Sequence, residues 1–196
     1  MTLVAQNAPN FVTQAILKNG NIVNNFNFKK ETKNKLVVLF FWPMDFTFVC
    51  PTEIVVFNQM YNEFKKRNTK IIGVSRDSVF VHQAWQNIKI ENGGIGKLKY
   101  TLVSDVKGEI QESYGVAHPE LGIALRASFL IDINGVVKHQ VVNDLPLGRN
   151  IKEMIRMIDA VTYHEKYGEV CPVNWKKGEK TIHPSQDGLI KYYQNK

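Results

Sequence analysis

The chain has 196 residues, 44% of them hydrophobic, enough for one core of ordinary size with a short appendage. It has no run of about 18 apolar residues that would span a membrane. Its start, Met1 to Phe11, lacks the basic and apolar segments of a secretory signal, which points to a reducing compartment, the cytosol. The formal charge of +7 comes from 25 basic and 18 acidic residues that are scattered. Small clusters such as Lys65-Lys66-Arg67 and Lys176-Lys177 fall at the ends of predicted elements, so the charge reads as solvated faces and helix C-termini rather than a nucleic-acid surface.

In chain order, the first strong strand is Leu36 to Phe41, Leu-Val-Val-Leu-Phe-Phe, which is apolar throughout and therefore belongs inside a sheet covered on both faces. A helix follows, with Ile54, Phe57, Tyr61 and Phe64 at helical spacing and Lys65, Lys66 and Arg67 in its last turn. Next are a strand at Lys70 to Ser75, a helix near Ser78 to Ile88, a short strand near Thr101 to Ser104 and a helix around Lys107 to Tyr114. A strand at Ala127 to Ile131 leads into Asn134-Gly135, a hairpin turn signal that pairs Val136 to Val142 antiparallel with it. The last long helix starts after Gly148 to Asn150 and carries Ile151, Met154, Ile155, Ile158 and Val161 on one stripe. The order β-α-β-α-β-α-β-β-α predicts an α/β fold, a mixed central sheet flanked by helices, over residues 1–163. Residues 164–196 lose the periodicity and read as a C-terminal arm.

Two cysteines are present, Cys50 and Cys171, the second on the arm. In a reducing compartment such a pair is catalytic, metal-binding or simply buried. Without a CxxC motif or four-ligand spacing, zinc is disfavoured. Cys50 directly precedes Pro51, and proline favours the first helical position, which places Cys50 at a helix N-cap. Free backbone N–H groups and the positive end of the macrodipole favour a thiolate there. Position alone leaves an inert buried thiol equally open. The polar and proline context around it tilts the balance toward an activated one: Thr47 can aim its hydroxyl into the same pocket, and Pro43 shields it from bulk water.

The segment PMDFTFVCPTE resembles the active-site signature of the typical two-cysteine peroxiredoxins, of the alkyl hydroperoxide reductase or thiol-specific antioxidant type. The resemblance covers nearly the whole chain. It extends through Gly73-Val74-Ser75, Gly93-Gly94-Ile95-Gly96, Asp144-Leu145-Pro146-Leu147-Gly148-Arg149 and Gly168-Glu169-Val170-Cys171-Pro172, closed by Trp175. It implies a thioredoxin-like fold and a thiol peroxidase that reduces hydrogen peroxide and organic hydroperoxides. By the same resemblance Cys50 is the peroxidatic cysteine, and Thr47 and Pro43 complete its pocket. Arg126 lies beside the thiolate, and Glu53 and Arg149 help to orient it. Read without the family, Arg126 is a charge next to an apolar strand, an ordinary surface ion pair.

The family further implies that Cys171 closes a disulfide with Cys50 of the other subunit of a homodimer, with dimers assembling into a decamer. No cofactor is implied, because two thiols suffice for the chemistry. Thioredoxin or a flavoprotein disulfide reductase would return the electrons. The glycine loop at 93–96 and the pair Tyr192-Tyr193 match, with departures, a family pattern linked to over-oxidation, so intermediate sensitivity is expected. Without the family the glycines are an ordinary flexible loop, and His82 and Trp85 are packing residues on one helix face.

Overall fold

A computed structural model of the protein describes residues 2–194. The chain divides into two compact units, Met1–Ile151 and Lys152–Lys196. The sequence pattern draws its boundary later, at residue 163, because the apolar stripe of the last long helix looks continuous with a core.

The first unit is built on a seven-stranded mixed sheet in the order β2-β1-β5-β4-β3-β6-β7. The strands are β1 (Val12–Ile16), β2 (Ile22–Asn27), β3 (Leu36–Phe41), β4 (Thr69–Ser75), β5 (Thr101–Ser104), β6 (Arg126–Ile131) and β7 (Val137–Asn143). The pairs β3–β4 and β4–β5 are parallel, and the remaining pairs are antiparallel. All six residues of β3 are buried, as its unbroken apolar run requires. Around the sheet lie α1 (Phe28–Glu31), α2 (Cys50–Gln59), α3 (Tyr61–Lys66), α4 (Val79–Asn87) and α5 (Glu109–Ser113).

Two features differ from the sequence expectation. The hairpin β1–β2 gave no recognisable signal, because β2 reads Ile-Val-Asn-Asn-Phe-Asn and sits at a sheet edge where only Phe26 is fully buried. The helix expected from Ile54 to Arg67 is two helices broken at Met60, whose backbone leaves the helical region (φ −86°, ψ 4°). One non-helical residue barely disturbs the apolar stripe, so periodicity cannot detect the break. The hairpin at Asn134-Gly135 forms as expected, with Gly135 at φ +85°, where a side chain would be strained. Asp132 accepts hydrogen bonds from the backbone N–H groups of Asn134 and Val136 in that turn.

The second unit is organised by α6 (Ile151–Tyr167) and α7 (Gln186–Gln194), with an antiparallel bridge between Val170 and Ile182. Trp175 is buried, and its ring centroid lies 5.3 Å from that of Tyr163. Among the described residues no helix is long and apolar enough to cross a membrane.

Candidate active site

The strand register assembles the site. β3 ends at Phe41, and the chain then leaves the sheet through Trp42 and Pro43 before re-entering as α2. β6 runs antiparallel to β3 with Phe40 opposite Ser128, so Arg126, two residues before Ser128, lies where β3 departs. β7 pairs Asn143 with Arg126, so the loop that follows β7 starts at the same end of the sheet and carries Arg149 back to it. Three segments far apart in sequence thus converge at the carboxyl end of the parallel strands, the usual place for a site in an α/β sheet.

Cys50 is fully buried, and both it and Cys171 are free thiols. Cys50 is the first residue inside α2 rather than its cap. Val49 holds the cap position and accepts at its carbonyl from the N–H groups of Thr52 and Glu53, with Pro51 in the first turn. The shift is one residue, and the sulfur keeps its place at the positive end of the helix. Arg126 is 4% exposed, and its Nη1 lies 3.3 Å from the Cys50 sulfur, so a guanidinium charge faces the thiol in a dry setting. The expectation of an exposed ion pair at Arg126 fails for a plain reason: the arginine begins a strand whose six residues are all buried.

Glu53 stands one helical turn after Cys50 and is likewise buried. Its carboxylate accepts from Arg126 Nη1 at 3.0 Å and from Arg149 Nε and Nη2 at 3.0 and 3.1 Å, and it also accepts the Arg149 backbone N–H at 3.0 Å. Arg149 also donates to the carbonyls of Ala127 and Phe41, and its guanidinium carbon lies 5.3 Å from the Phe40 ring centroid. Burial pushes the Arg149 guanidinium below its ordinary value, and Glu53 opposes that shift. The cluster holds two buried cations and one carboxylate, so its net charge is positive beside the thiol.

Pro43 is buried at the end of β3, and Thr47 is half-buried and donates its hydroxyl to the carbonyl of Met44 at 2.9 Å. That bond fixes the rotamer of Thr47 within the loop and leaves its lone pairs as acceptors. Phe46, next to Thr47, adopts φ +56°, a left-handed backbone that costs energy for a non-glycine residue.

A buried network that sequence reasoning missed holds this loop. The Asp45 carboxylate accepts from Trp42 Nε1 at 2.9 Å and meets His82 Nδ1 at 2.7 Å, while the Asp45 N–H donates to Asp77 at 2.8 Å. Burial raises the Asp45 carboxyl above its ordinary range, against the lowering effect of His82. His82 is therefore a bonded partner of the active-site loop as well as a packing residue. The signal available in the sequence was an acidic residue, Asp45, between the apolar Met44 and Phe46. The glycines at 93–96 are not a loose loop either: Gly93 accepts from Trp85 Nε1 at 3.0 Å, and Ile95 is fully buried.

A fold of this kind, with one buried thiol opening a helix against a clamped guanidinium, defines a thiol-based redox enzyme, and comparison with known proteins narrows the class. The AhpC/TSA family model matches residues 4–140, and the C-terminal domain of 1-Cys peroxiredoxin matches residues 160–196. The chain is 67% identical over 192 residues to an alkyl hydroperoxide reductase C of Buchnera aphidicola subsp. Schizaphis graminum, covering 98% of this chain and 97% of the relative. It is 47% identical to a mitochondrial thioredoxin-dependent peroxide reductase of Mus musculus, covering 97% of this chain and 73% of that one. The crystal structure of reduced Plasmodium vivax 2-Cys peroxiredoxin superposes with a TM-score of 0.95 at 41% identity, covering 99% of this chain and all of that one. The chain belongs to the AhpC/TSA family and is a peroxiredoxin-type peroxidase.

Proposed function

We propose that the protein reduces hydrogen peroxide and organic hydroperoxides through Cys50, with Cys171 as its disulfide partner. The observation that carries this reading is the 3.3 Å approach of Arg126 to a fully buried Cys50 sulfur, with that arginine clamped by Glu53. The Cys50 thiolate attacks one oxygen of ROOH, the O–O bond breaks, and the leaving alkoxide takes a proton to depart as ROH. Cys50 becomes a sulfenic acid. Arg126 steadies the charge that builds on the departing oxygen, the Thr47 hydroxyl binds the peroxide, and Pro43 excludes water. Glu53 and Arg149 orient Arg126.

The Cys171 thiolate then attacks the sulfenic sulfur of the partner subunit's chain, forming a disulfide as the hydroxyl leaves as water. A reductant dithiol cleaves the disulfide. Because Cys50 is fully buried in the first turn of α2, that turn unwinds to expose the sulfur for this second step. Slow unwinding leaves the sulfenic acid open to a second peroxide, and with Tyr192-Tyr193 in α7 the sensitivity to sulfinic acid is intermediate.

The reductant is thioredoxin, in keeping with the name of the mouse relative; a flavoprotein disulfide reductase is the rival. Met44, Phe46, Phe48 and Phe80 are exposed apolar side chains, Phe48 at 92%, and large apolar side chains left exposed support self-association into a homodimer and a decamer. The protein works in the cytosol. NADPH consumption with purified thioredoxin and thioredoxin reductase tests the cycle. Wild type turns over, and Cys50→Ser and Cys171→Ser do not. Equal turnover by Cys171→Ser would overturn the role given to that thiol.

A further inference from the structure

The second unit contains a charged device that the cycle above leaves unused. Arg156 lies in α6, held on one side by Glu153, whose two carboxylate oxygens accept from its Nε and Nη2 at 2.7 Å each. On the other side its Nη1 donates to the carbonyl of Trp175 at 2.9 Å. One turn further along the same helix face, the Ala160 carbonyl lies 3.7 Å from the Cys171 sulfur as an acceptor for its S–H.

The segment from Cys171 to Trp175 is thus tied at both ends to one turn of α6. Its middle is closed by the bond from Trp175 N–H to the Pro172 carbonyl, and the indole Nε1 donates to the Glu179 carbonyl. These ties set the guanidinium and the thiol at adjacent turns of one helix, where the guanidinium favours the ionised sulfur.

The groups that bear on Cys171 are of both signs. Burial pushes its thiol up, Arg156 opposes this, and Glu169 adds to it. The Glu169 carboxylate accepts from the hydroxyls of Tyr163 and Thr181, and its carbonyl meets His164 Nδ1 at 2.9 Å. Arg156 is the cation in this set that favours the ionised thiol, and its bidentate contact with Glu153 fixes its plane.

We propose that Arg156, clamped by Glu153 and bonded to the Trp175 carbonyl, is a positioning residue that holds the Cys171 segment on α6 and eases loss of the thiol proton for the attack on the Cys50 sulfenic acid. It touches neither the peroxide nor the reacting oxygen and acts through the Cys171 sulfur. In that step the Cys171–Cys50 S–S bond forms, the S–O bond of the sulfenic acid breaks, and the hydroxyl takes a proton and leaves as water. Because the step competes with a second peroxide at Cys50, Arg156 also sets how readily Cys50 passes to the sulfinic acid.

The test reads Cys171 in a Cys50→Ser background, where it is the single thiol, by iodoacetamide labelling across pH. Arg156→Gln lowers the labelling rate at neutral pH about threefold and moves the profile toward higher pH. Glu169→Gln moves it the opposite way by about twofold, and opposite signs are not what loosened packing would produce. A profile for Arg156→Gln that superimposes on the parent overturns the proposal. If glutamine frees the arm, labelling rises instead, and Arg156→Lys then decides. Parent-like labelling supports the charge, and labelling as fast as the glutamine variant overturns it.

The inference rests on Cys171 being the disulfide partner of Cys50, and the two ideas fail separately. Absence of a peroxide-induced disulfide in wild type sinks that assignment. A wild-type disulfide that Arg156→Gln forms at the same rate sinks this one.

Discussion

The two thiols occupy opposite physical settings. Cys50 is sealed inside the sheet-based unit, and every charged group around it is itself buried and multiply bonded. Cys171 is half-buried in a unit of two helices and a short bridge, and the pair of Arg156, which bears on it, with Glu153 is a quarter or more exposed. A buried cluster gains strength from low local dielectric but tolerates no missing partner. A half-exposed pair is weaker and more forgiving. The lesson is a contrast in construction: rigid, dry electrostatics surrounds the thiol at the sheet, and looser, wetter contacts surround the thiol of the second unit.

The sharpest way to break this contrast is Cys50→Ser, which removes the proposed nucleophile and should lower peroxide turnover by about a thousandfold or more while circular dichroism stays native. Residual turnover within tenfold of wild type would place the chemistry elsewhere. Next in size is a matched pair of carboxylate deletions. Glu53→Ala leaves Arg126 and Arg149 buried without their anion, and urea unfolding should show a loss of about 3–5 kcal/mol. Glu153→Ala removes a half-exposed partner and should cost about 0–1 kcal/mol. Similar losses for the two would erase the distinction between the units.

Gly73→Ala probes packing under the active-site loop. A Cβ there would come within 2.7 Å of Trp42 and 2.8 Å of Phe40, ring atoms in a full core, so about 1–3 kcal/mol should be lost. No change in unfolding midpoint would mean that the aromatic layer beside Trp42 yields easily.

The smallest effect is a dependence on alkaline pH. Burial raises the Tyr100 and Tyr114 hydroxyls above the ordinary tyrosine value. Unfolded tyrosines ionise near pH 10. The folded chain keeps protons that the unfolded chain releases, so these groups leave stability untouched well below pH 10 and erode it above. Thermal melts at pH 9 and pH 11, with absorbance at 295 nm, check this. Ionisation of both tyrosines near pH 10 in the still-folded protein would contradict it.

Much of the framework is legible in the chain's own pattern. β3 announces itself by an unbroken apolar run, β6–β7 by Asn134-Gly135, and α2 by Pro51 behind Cys50. Each signal is local: strand burial, turn geometry and helix-start chemistry act over a few residues, so the sequence alone carries them. β1–β2 escapes because an edge strand buries too little to show a pattern. Met60 escapes because one residue does not shift a stripe.

The site divides along the same line. The sequence by itself determined that a thiol opens a helix after a buried strand, next to a threonine and a proline. The family resemblance set Arg126, Glu53 and Arg149 near that sulfur, but only the tertiary structure decided that they close into one cluster against it and that Asp45 and His82 clamp the loop. It also decided that the segment from Cys171 to Trp175 is tied to α6 through Ala160 and Arg156. These contacts depend on strand register and on chain segments that return from far along the sequence, and no local rule of propensity encodes which distant charge will arrive. The cost of burying a charge does the selecting: once Arg126 is enclosed, a carboxylate must meet it, and the fold supplies Glu53.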